Sequence, residues 1–331
     1  MRFRFKPTFE QRSALRAQLA RLLQPAEVLA VLRSNVPADF KPSEILCTPQ
    51  NVHSDRFVLR VQMRSAYNEE RAYALKVYSD DFGEQVWAHS RALAGHHPPD
   101  GDGLCLPSAY IPKQRMLVFP WVEGEFFSEI VDERKLSLLP QAAGIAATLH
   151  RAPIVPEQPT TAQMIVNETR SRCERLRRRW PVAAPIIEPL MAALQEALAR
   201  LDPAEPAPVH GDLASGQFLW TGERLVLLDL DMFGYADPAY DVGHFLAQLE
   251  RRCLSDPSLP EHASRWLACF RDSYLARMPR VSPRNVMFYR GLTLVRKIYT
   301  TCREQTGEWP LLALQLAVRA RAALREAVSP G

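Results

Sequence analysis

Apolar positions recur at helical spacing early in the chain and then change to short alternating runs, and this change divides the sequence. Leu15, Leu19, Leu22 and Leu23 form one helical stripe behind Thr8 and Gln11, which are spaced as a capping box. Pro25 ends that helix or opens a second one through Val28, Leu29 and Leu32. After turn residues near Pro37 and Pro42, residues 57–63 and 72–78 are β-prone runs joined by the polar segment 65–70, the pattern of a hairpin. Helical periodicity returns over 82–93 and is followed by a loop rich in Gly, Asp and Pro over 96–103. A second hairpin is expected around Lys113 and Gln114, leading into 116–119.

Beyond Gly124 the pattern is mostly helical, with predicted helices over 141–150, 163–180 and 191–201 and further helices towards the C-terminus. One β-like island interrupts them: 217–220, a turn at Thr221-Gly222, then 224–228. A run of strands followed by a run of helices predicts an α+β class rather than a doubly wound α/β fold. The divisions read from the chain are 1–44, a helical extension; 45–121, a small β-rich lobe; and 122–331, a large, mainly helical lobe.

Composition sharpens this without redirecting it. The chain has 331 residues, 47% hydrophobic and 24% charged, values of a folded globular protein rather than a disordered or collagen-like one. A net charge of +4 is too small a surplus to argue for nucleic acid. The arginine cluster Arg170, Arg172, Arg175, Arg177, Arg178 and Arg179 reads as a solvated helix face, without an aromatic strand platform for nucleic acid beside it. No apolar run reaches the roughly 18 residues of a membrane helix, and the first residues lack the apolar stretch of a secretory signal, so a cytoplasmic protein that does not engage a membrane is expected. Six scattered cysteines without a C-x-x-C pair point to buried free thiols rather than zinc or disulfides.

The chemistry concentrates in two neighbouring stretches, 209–220 and 227–241. Asp212 and Asp229 flank the predicted hairpin, which is short enough to return both carboxylates to one end. Together with the carboxamide of Gln217 they make an oxygen-rich set suited to a hard cation such as Mg²⁺, which completes its shell with water and substrate phosphates. Neither G-x-x-x-x-G-K-[ST] nor G-x-G-x-x-G occurs, which excludes P-loop and Rossmann nucleotide sites, and 48–56 contains no glycine.

His210-Gly211-Asp212-Leu213, Asp229-Leu230-Asp231 and Asp237-Pro238-Ala239-Tyr240-Asp241 resemble, in order and spacing, the aminoglycoside phosphotransferase and choline kinase-like family, relatives of the protein kinases. Ala74-Leu75-Lys76-Val77 is similar to the family's nucleotide-binding lysine strand. Residues 118–124 resemble its hinge and 146–150 the helix end before its substrate insert, so the likeness covers roughly 45–255. It implies a two-lobed protein-kinase-like fold that transfers phosphate from ATP, with GTP not excluded, in the presence of Mg²⁺. In that resemblance Asp212 receives the proton of an acceptor hydroxyl, Asp229 and Gln217 bind the metal, and Lys76 holds the α- and β-phosphates. Glu84 pairs with Lys76, Pro120 and Val122 meet the adenine, and His210 and Asp241 brace the catalytic loop. Gln217 stands where the family pattern has Asn, and is read as a variant ligand with its carboxamide oxygen retained. Asp231 is read as approaching a second cation or as an exposed acidic residue, and His150 as packing at a helix end.

From Arg271 onward eleven basic residues face four acidic ones, which favours a neutral or anionic small-molecule acceptor, such as a sugar or phosphorylated metabolite, over a polycationic aminoglycoside. Nine residues between Asp231 and Asp241 leave little room for the activation segment of a kinase acting on protein. The alternative reading is an inactive nucleotide-binding pseudokinase.

Overall fold

The alternating run at 57–63 lies within a strand that buries every second side chain. A computed structural model describes residues 6–96, 103–155 and 158–329. The chain divides into two compact units, residues 2–123 and residues 124–331.

In the first unit, α1 (Phe9–Leu22) starts at the expected capping box, with the Gln11 amide donating to Thr8 Oγ1 at 3.2 Å and the Thr8 amide to Gln11 Oε1 at 2.8 Å. Pro25 opens α2 (Pro25–Leu32), where its missing N–H removes no helical bond. The strands β1 (Pro42–Val52), β2 (Arg56–Ser65), β3 (Glu70–Tyr78), β4 (Ala109–Ile111) and β5 (Met116–Pro120) form an antiparallel sheet in the order β1-β2-β3-β5-β4, with α3 (Phe82–Ala94) following β3. Phe57, Leu59, Val61 and Met63 of β2 share a core with Leu75 and Val77 of β3 and with Leu15, Leu22, Val28 and Leu32 of α1 and α2. Each such side chain contributes about 1.5–3 kcal/mol on full burial, so α1 and α2 are part of this core rather than an extension separate from 45–121. By alternation, Lys76 and Tyr78 fall on the opposite face, where Tyr78, Val86 and Leu117 pack with Phe82 and Trp87.

β1 was not expected from the sequence. It is an edge strand containing Pro49, and the pairing register shifts between Pro49 and Asn51, where a proline is tolerated. Most of the predicted 96–103 loop lies outside the described residues.

In the second unit, β6 (Glu125–Phe126) precedes α4 (Arg134–His150), α5 (Ala162–Arg179), α6 (Ala184–Leu198), β7 (Ala207–Val209), β8 (Phe218–Trp220), β9 (Leu225–Leu227), β10 (Gly234–Ala236), α7 (Ala239–Ser255), α8 (Ala263–Arg277), α9 (Pro283–Glu304) and α10 (Trp309–Val328). Helix α4 begins well before the predicted 141 because Pro140 lies inside it. The carbonyl that Pro140 cannot serve, that of Leu136, accepts from the Cys269 thiol at 3.6 Å. The predicted 217–228 island becomes the β8–β9 hairpin, with Phe218 opposite Leu227, and β6 adds to its other edge; β7 pairs with β10. Arg290 of α9 holds the buried Glu250 of α7 through three hydrogen bonds of 2.8–3.0 Å.

Helices α7 and α9 cross at Gly243. A Cβ there would stand 2.5 Å from the Arg290 backbone nitrogen and 2.7 Å from the Val286 carbonyl oxygen. Gly243→Ala is therefore expected to force the helices apart and cost about 1–3 kcal/mol, read as a lower urea midpoint. An unchanged midpoint would show that the crossing yields freely. Among the described residues no helix is long and apolar enough to cross a membrane, and all six cysteines are free, with Cys173, Cys253 and Cys302 buried.

Candidate active site

β7 delivers the chain into the loop that carries His210, Gly211 and Asp212. Gly211 has φ +80°, and a Cβ on it would lie 2.1 Å from the Met232 carbonyl oxygen, so only glycine fits both the dihedral and the gap. The loop is fixed from below by Asp241, a fully buried carboxylate in the first turn of α7. The His210 amide donates to Asp241 Oδ2 at 2.6 Å and the Gly211 amide to Oδ1 at 2.9 Å, while the His150 ring donates from Nε2 to Oδ2 at 3.0 Å. Burial alone would raise the Asp241 pKa, but its hydrogen bond and electrostatic contact with His150 and the donated backbone amides hold it below the usual carboxylate range. Asp237 steadies the same region, accepting from the Ala239 amide at 2.9 Å and from Asn285 of α9 at 2.9 Å.

His210 acts as a strut. Its Nε2 lies 2.9 Å from the Leu228 carbonyl, which can only accept, and its Nδ1 lies 3.2 Å from the Asp212 amide, which can only donate. This pair of contacts requires the neutral ring with its proton on Nε2. The Leu228 amide in turn donates to the Gln217 carbonyl at 2.7 Å. The backbone before Asp229 is thus tied both to the Asp212 loop and to the start of β8. Asp229 itself adopts the left-handed region at φ 59°, costly for a residue with a side chain, and its Oδ1 accepts from the Asp231 amide at 3.2 Å.

The Asp212 side chain is 46% exposed, and each of its oxygens has a partner: His244 Nε2 lies 3.1 Å from Oδ1 and Gln217 Nε2 3.4 Å from Oδ2. Desolvation pushes its pKa up, but the His244 hydrogen bond and the nearby Lys297 ammonium outweigh this and bring the carboxyl to about 2, so it is ionised throughout the physiological range. Burial pushes the His244 pKa down, so at neutral pH its uncharged ring donates to Asp212 from Nε2.

Of the nine residues singled out in the sequence, His210, Asp212, Gln217, Asp229 and Asp241 lie in the second unit and belong to this one hydrogen-bonded circuit. Lys76, Glu84, Pro120 and Val122 lie in the first. Lys76 is buried on β3 with its ammonium 5.7 Å from the Tyr78 ring centroid. Glu84 is exposed on the first turn of α3. Pro120 ends β5 exposed, and Val122 is half-buried beyond it. Asp231 is buried rather than exposed. His150 does more than pack: its Nδ1 meets the Tyr274 hydroxyl at 2.6 Å while its Nε2 serves Asp241. Tyr274, His244 and Lys297 escaped the sequence reading; His244 follows Asp241 by less than one helical turn, which was the one local signal available.

Among the described residues no three His, Cys, Asp or Glu side chains gather into a metal-binding group. The two residues read as metal ligands carry a carboxylate, Asp229, and a carboxamide oxygen, Gln217 Oε1, whose Nε2 is turned to Asp212. Two protein oxygens suit Mg²⁺, which keeps several positions for water and phosphate, and do not suit a cation that needs a full protein cage.

A family model described as the phosphotransferase enzyme family matches residues 51–277. A choline/ethanolamine kinase family protein from Mesorhizobium loti superposes with a TM-score of 0.58 at 15% identity, over 95% of this chain and 95% of that one. Choline kinase from Cryptosporidium parvum Iowa II gives 0.62 at 10% identity, over 92% and 96%. The ADP-bound aminoglycoside phosphotransferase APH(2'')-Ib gives 0.57 at 14% identity, over 91% and 99%. At such identities the likeness concerns the fold, a small antiparallel sheet followed by a helical part in the protein-kinase-like manner. None of the curated proteins matches the chain.

Proposed function

The chain belongs to the phosphotransferase enzyme family, and from that premise we propose that it is an ATP- and Mg²⁺-dependent kinase acting on a hydroxyl of a small metabolite. The observation that carries the reading is Asp212: half-exposed, ionised, and held through its neighbours' backbone amides by the buried Asp241. In this reading the acceptor hydroxyl binds at Asp212, its oxygen bonds to the γ-phosphorus as the bond to the ADP oxygen breaks, and its proton passes to an Asp212 oxygen. Because the transition state is loose, the proton moves late and the main contribution of Asp212 is to aim the hydroxyl. His244 and Gln217 keep the carboxylate from turning away. Asp229 and Gln217 Oε1 would hold Mg²⁺, which supplies charge neutralisation for the phosphates. Lys76 is assigned to the phosphates as a point charge, and Pro120 and Val122 to the adenine through a backbone carbonyl and N–H. The ADP-bound relative of the same fold supports the choice of nucleotide.

A thermal shift with Mg·ATP tests this first. At about 100 times the dissociation constant the nucleotide should add roughly 2.7 kcal/mol of stability. Asp229→Ala is expected to abolish the part of the shift that depends on Mg²⁺ and to leave the apo protein folded. No shift with either ATP or GTP would remove the kinase reading. A Mg·ATP shift without phosphorylation of any compound in a metabolite pool, followed by mass gain, would favour the pseudokinase instead.

A further inference from the structure

The polar side chains between α7 and α9 leave more buried atoms unsatisfied than their surroundings. Among the described residues His244 Nδ1, Arg251 Nε, Thr293 Oγ1 and Thr301 Oγ1 are all buried without a hydrogen-bond partner, and His244, Thr293 and Thr301 are 6%, 1% and 3% exposed. On α7, His244 and Arg251 are two turns apart on one stripe. On α9, Thr293, Lys297 and Thr301 follow one another at intervals of four, so the two hydroxyls flank the lysine on one helical face.

The cations around them differ in commitment. Arg290 is taken by Glu250, and Arg296 by the Tyr240 hydroxyl at 3.1 Å and Glu168 at 3.5 Å. Lys297 has no ion pair among the described residues. Asp212 is the first negative charge acting on it and Glu304 the other, yet Asp212 is bonded to His244 and Gln217 and Glu304 lies 3.7 Å from Arg251. A desolvated ammonium without a partner destabilises the fold that carries it. Both Asp212 oxygens already have donors, so orienting Asp212 does not account for this lysine.

We propose that α7 and α9 form an anion subsite beside Asp212, in which Lys297, with Arg251 and the Thr301 hydroxyl, binds a carboxylate or phosphate carried by the acceptor. This rests on the reading of Asp212 as the residue that receives the acceptor hydroxyl, and narrows the acceptor to a hydroxylated anion. The negative group replaces the missing counter-charge of Lys297, its oxygens accept from the ammonium, from Arg251 Nε and from the Thr301 hydroxyl one turn further along α9, and its hydroxyl is left towards Asp212. A polycationic acceptor would meet Lys297 unpaired and be repelled.

Inorganic phosphate is the probe, titrated calorimetrically into the full chain with and without Mg·ADP. Wild type should bind it, and Lys297→Gln should lower the affinity about tenfold or more, the usual effect of losing a charged hydrogen bond, with a smaller loss in Arg251→Gln. Lys76→Gln should leave phosphate binding unchanged, which separates this subsite from the nucleotide's. Glycerate or glycerol 3-phosphate should displace phosphate and glycerol should not; the better competitor identifies the group as carboxylate or phosphate monoester. Apo Lys297→Gln should be at least as heat-stable as wild type, because a half-buried charge without an ion pair is removed. Phosphate that fails to bind wild type, or binds Lys297→Gln and Arg251→Gln as tightly, overturns the subsite. A missing Mg·ATP shift in wild type alongside Lys297-dependent phosphate binding would instead overturn the kinase reading alone.

Discussion

Asp212→Asn is expected to lower kcat by about 10²–10⁴-fold, the range for losing a positioned proton acceptor, which corresponds to about 3–5 kcal/mol of transition-state stabilisation. Asparagine is the informative replacement because it preserves shape. Its carboxamide oxygen still accepts from His244 Nε2, and its NH₂ group gives up only the long 3.4 Å contact from Gln217 Nε2, so Gln217 Oε1 keeps its direction. The loop therefore keeps its form, held by Asp241 through the His210 and Gly211 amides. What is lost is the negative charge and the lone pair that takes the proton. Mg·ATP should bind Asp212→Asn as it binds wild type, and single-turnover measurements should place the loss in the chemical step rather than in acceptor binding. Turnover within a factor of two of wild type would remove Asp212 from the chemistry.

The parts of this site that were legible in the sequence are those joined by short-range constraints. His210, Gly211 and Asp212 are consecutive, Gln217 follows by little more than a helical turn, and the β8–β9 hairpin returns the chain to Asp229, so spacing alone suggested their convergence. The fold class was legible for the same reason: alternation at 57–63 and stripes such as Leu15 to Leu22 report burial directly. Contacts that depend on tertiary packing were not. His150 lies 91 residues from Asp241 and 124 from Tyr274, and no local pattern links them. Lys297 looks like any basic residue on a long helix until α7 is packed against α9. The start of α4 was not legible either: it lies seven residues before the expected 141, with Pro140 inside the helix and the carbonyl it leaves behind taken by the Cys269 thiol.

The largest effect on stability is expected at Asp241. Asp241→Ala leaves two buried amides, those of His210 and Gly211, and the His150 Nε2–H without an acceptor, and breaking such a buried charged network costs about 3–5 kcal/mol. For a unit of this size the melting temperature should fall by roughly 6–20 °C. Asp241→Asn tests whether charge or shape matters: its oxygen can serve one side of the network, but its NH₂ group must face a donor on the other, so it should recover only part of the loss. The pH dependence follows from the direction of the shift. Because the native Asp241 pKa lies below its unfolded value, its contribution is fully present above the unfolded carboxyl value of about 4 and is lost as pH falls through the native one. The gap between wild type and Asp241→Ala should therefore be widest from pH 5 to 8, in the range where the carboxyl is ionised in both states, and should narrow in acid as the wild-type carboxyl protonates. Asp212 would be mispositioned together with the loop, so activity measured well below the melting point should fall in the same variants, and more in Ala than in Asn. Equal melting temperatures for wild type and Asp241→Ala across that range would mean that the loop is held by something other than this carboxylate, and the fixed position of Asp212 would lose its structural cause.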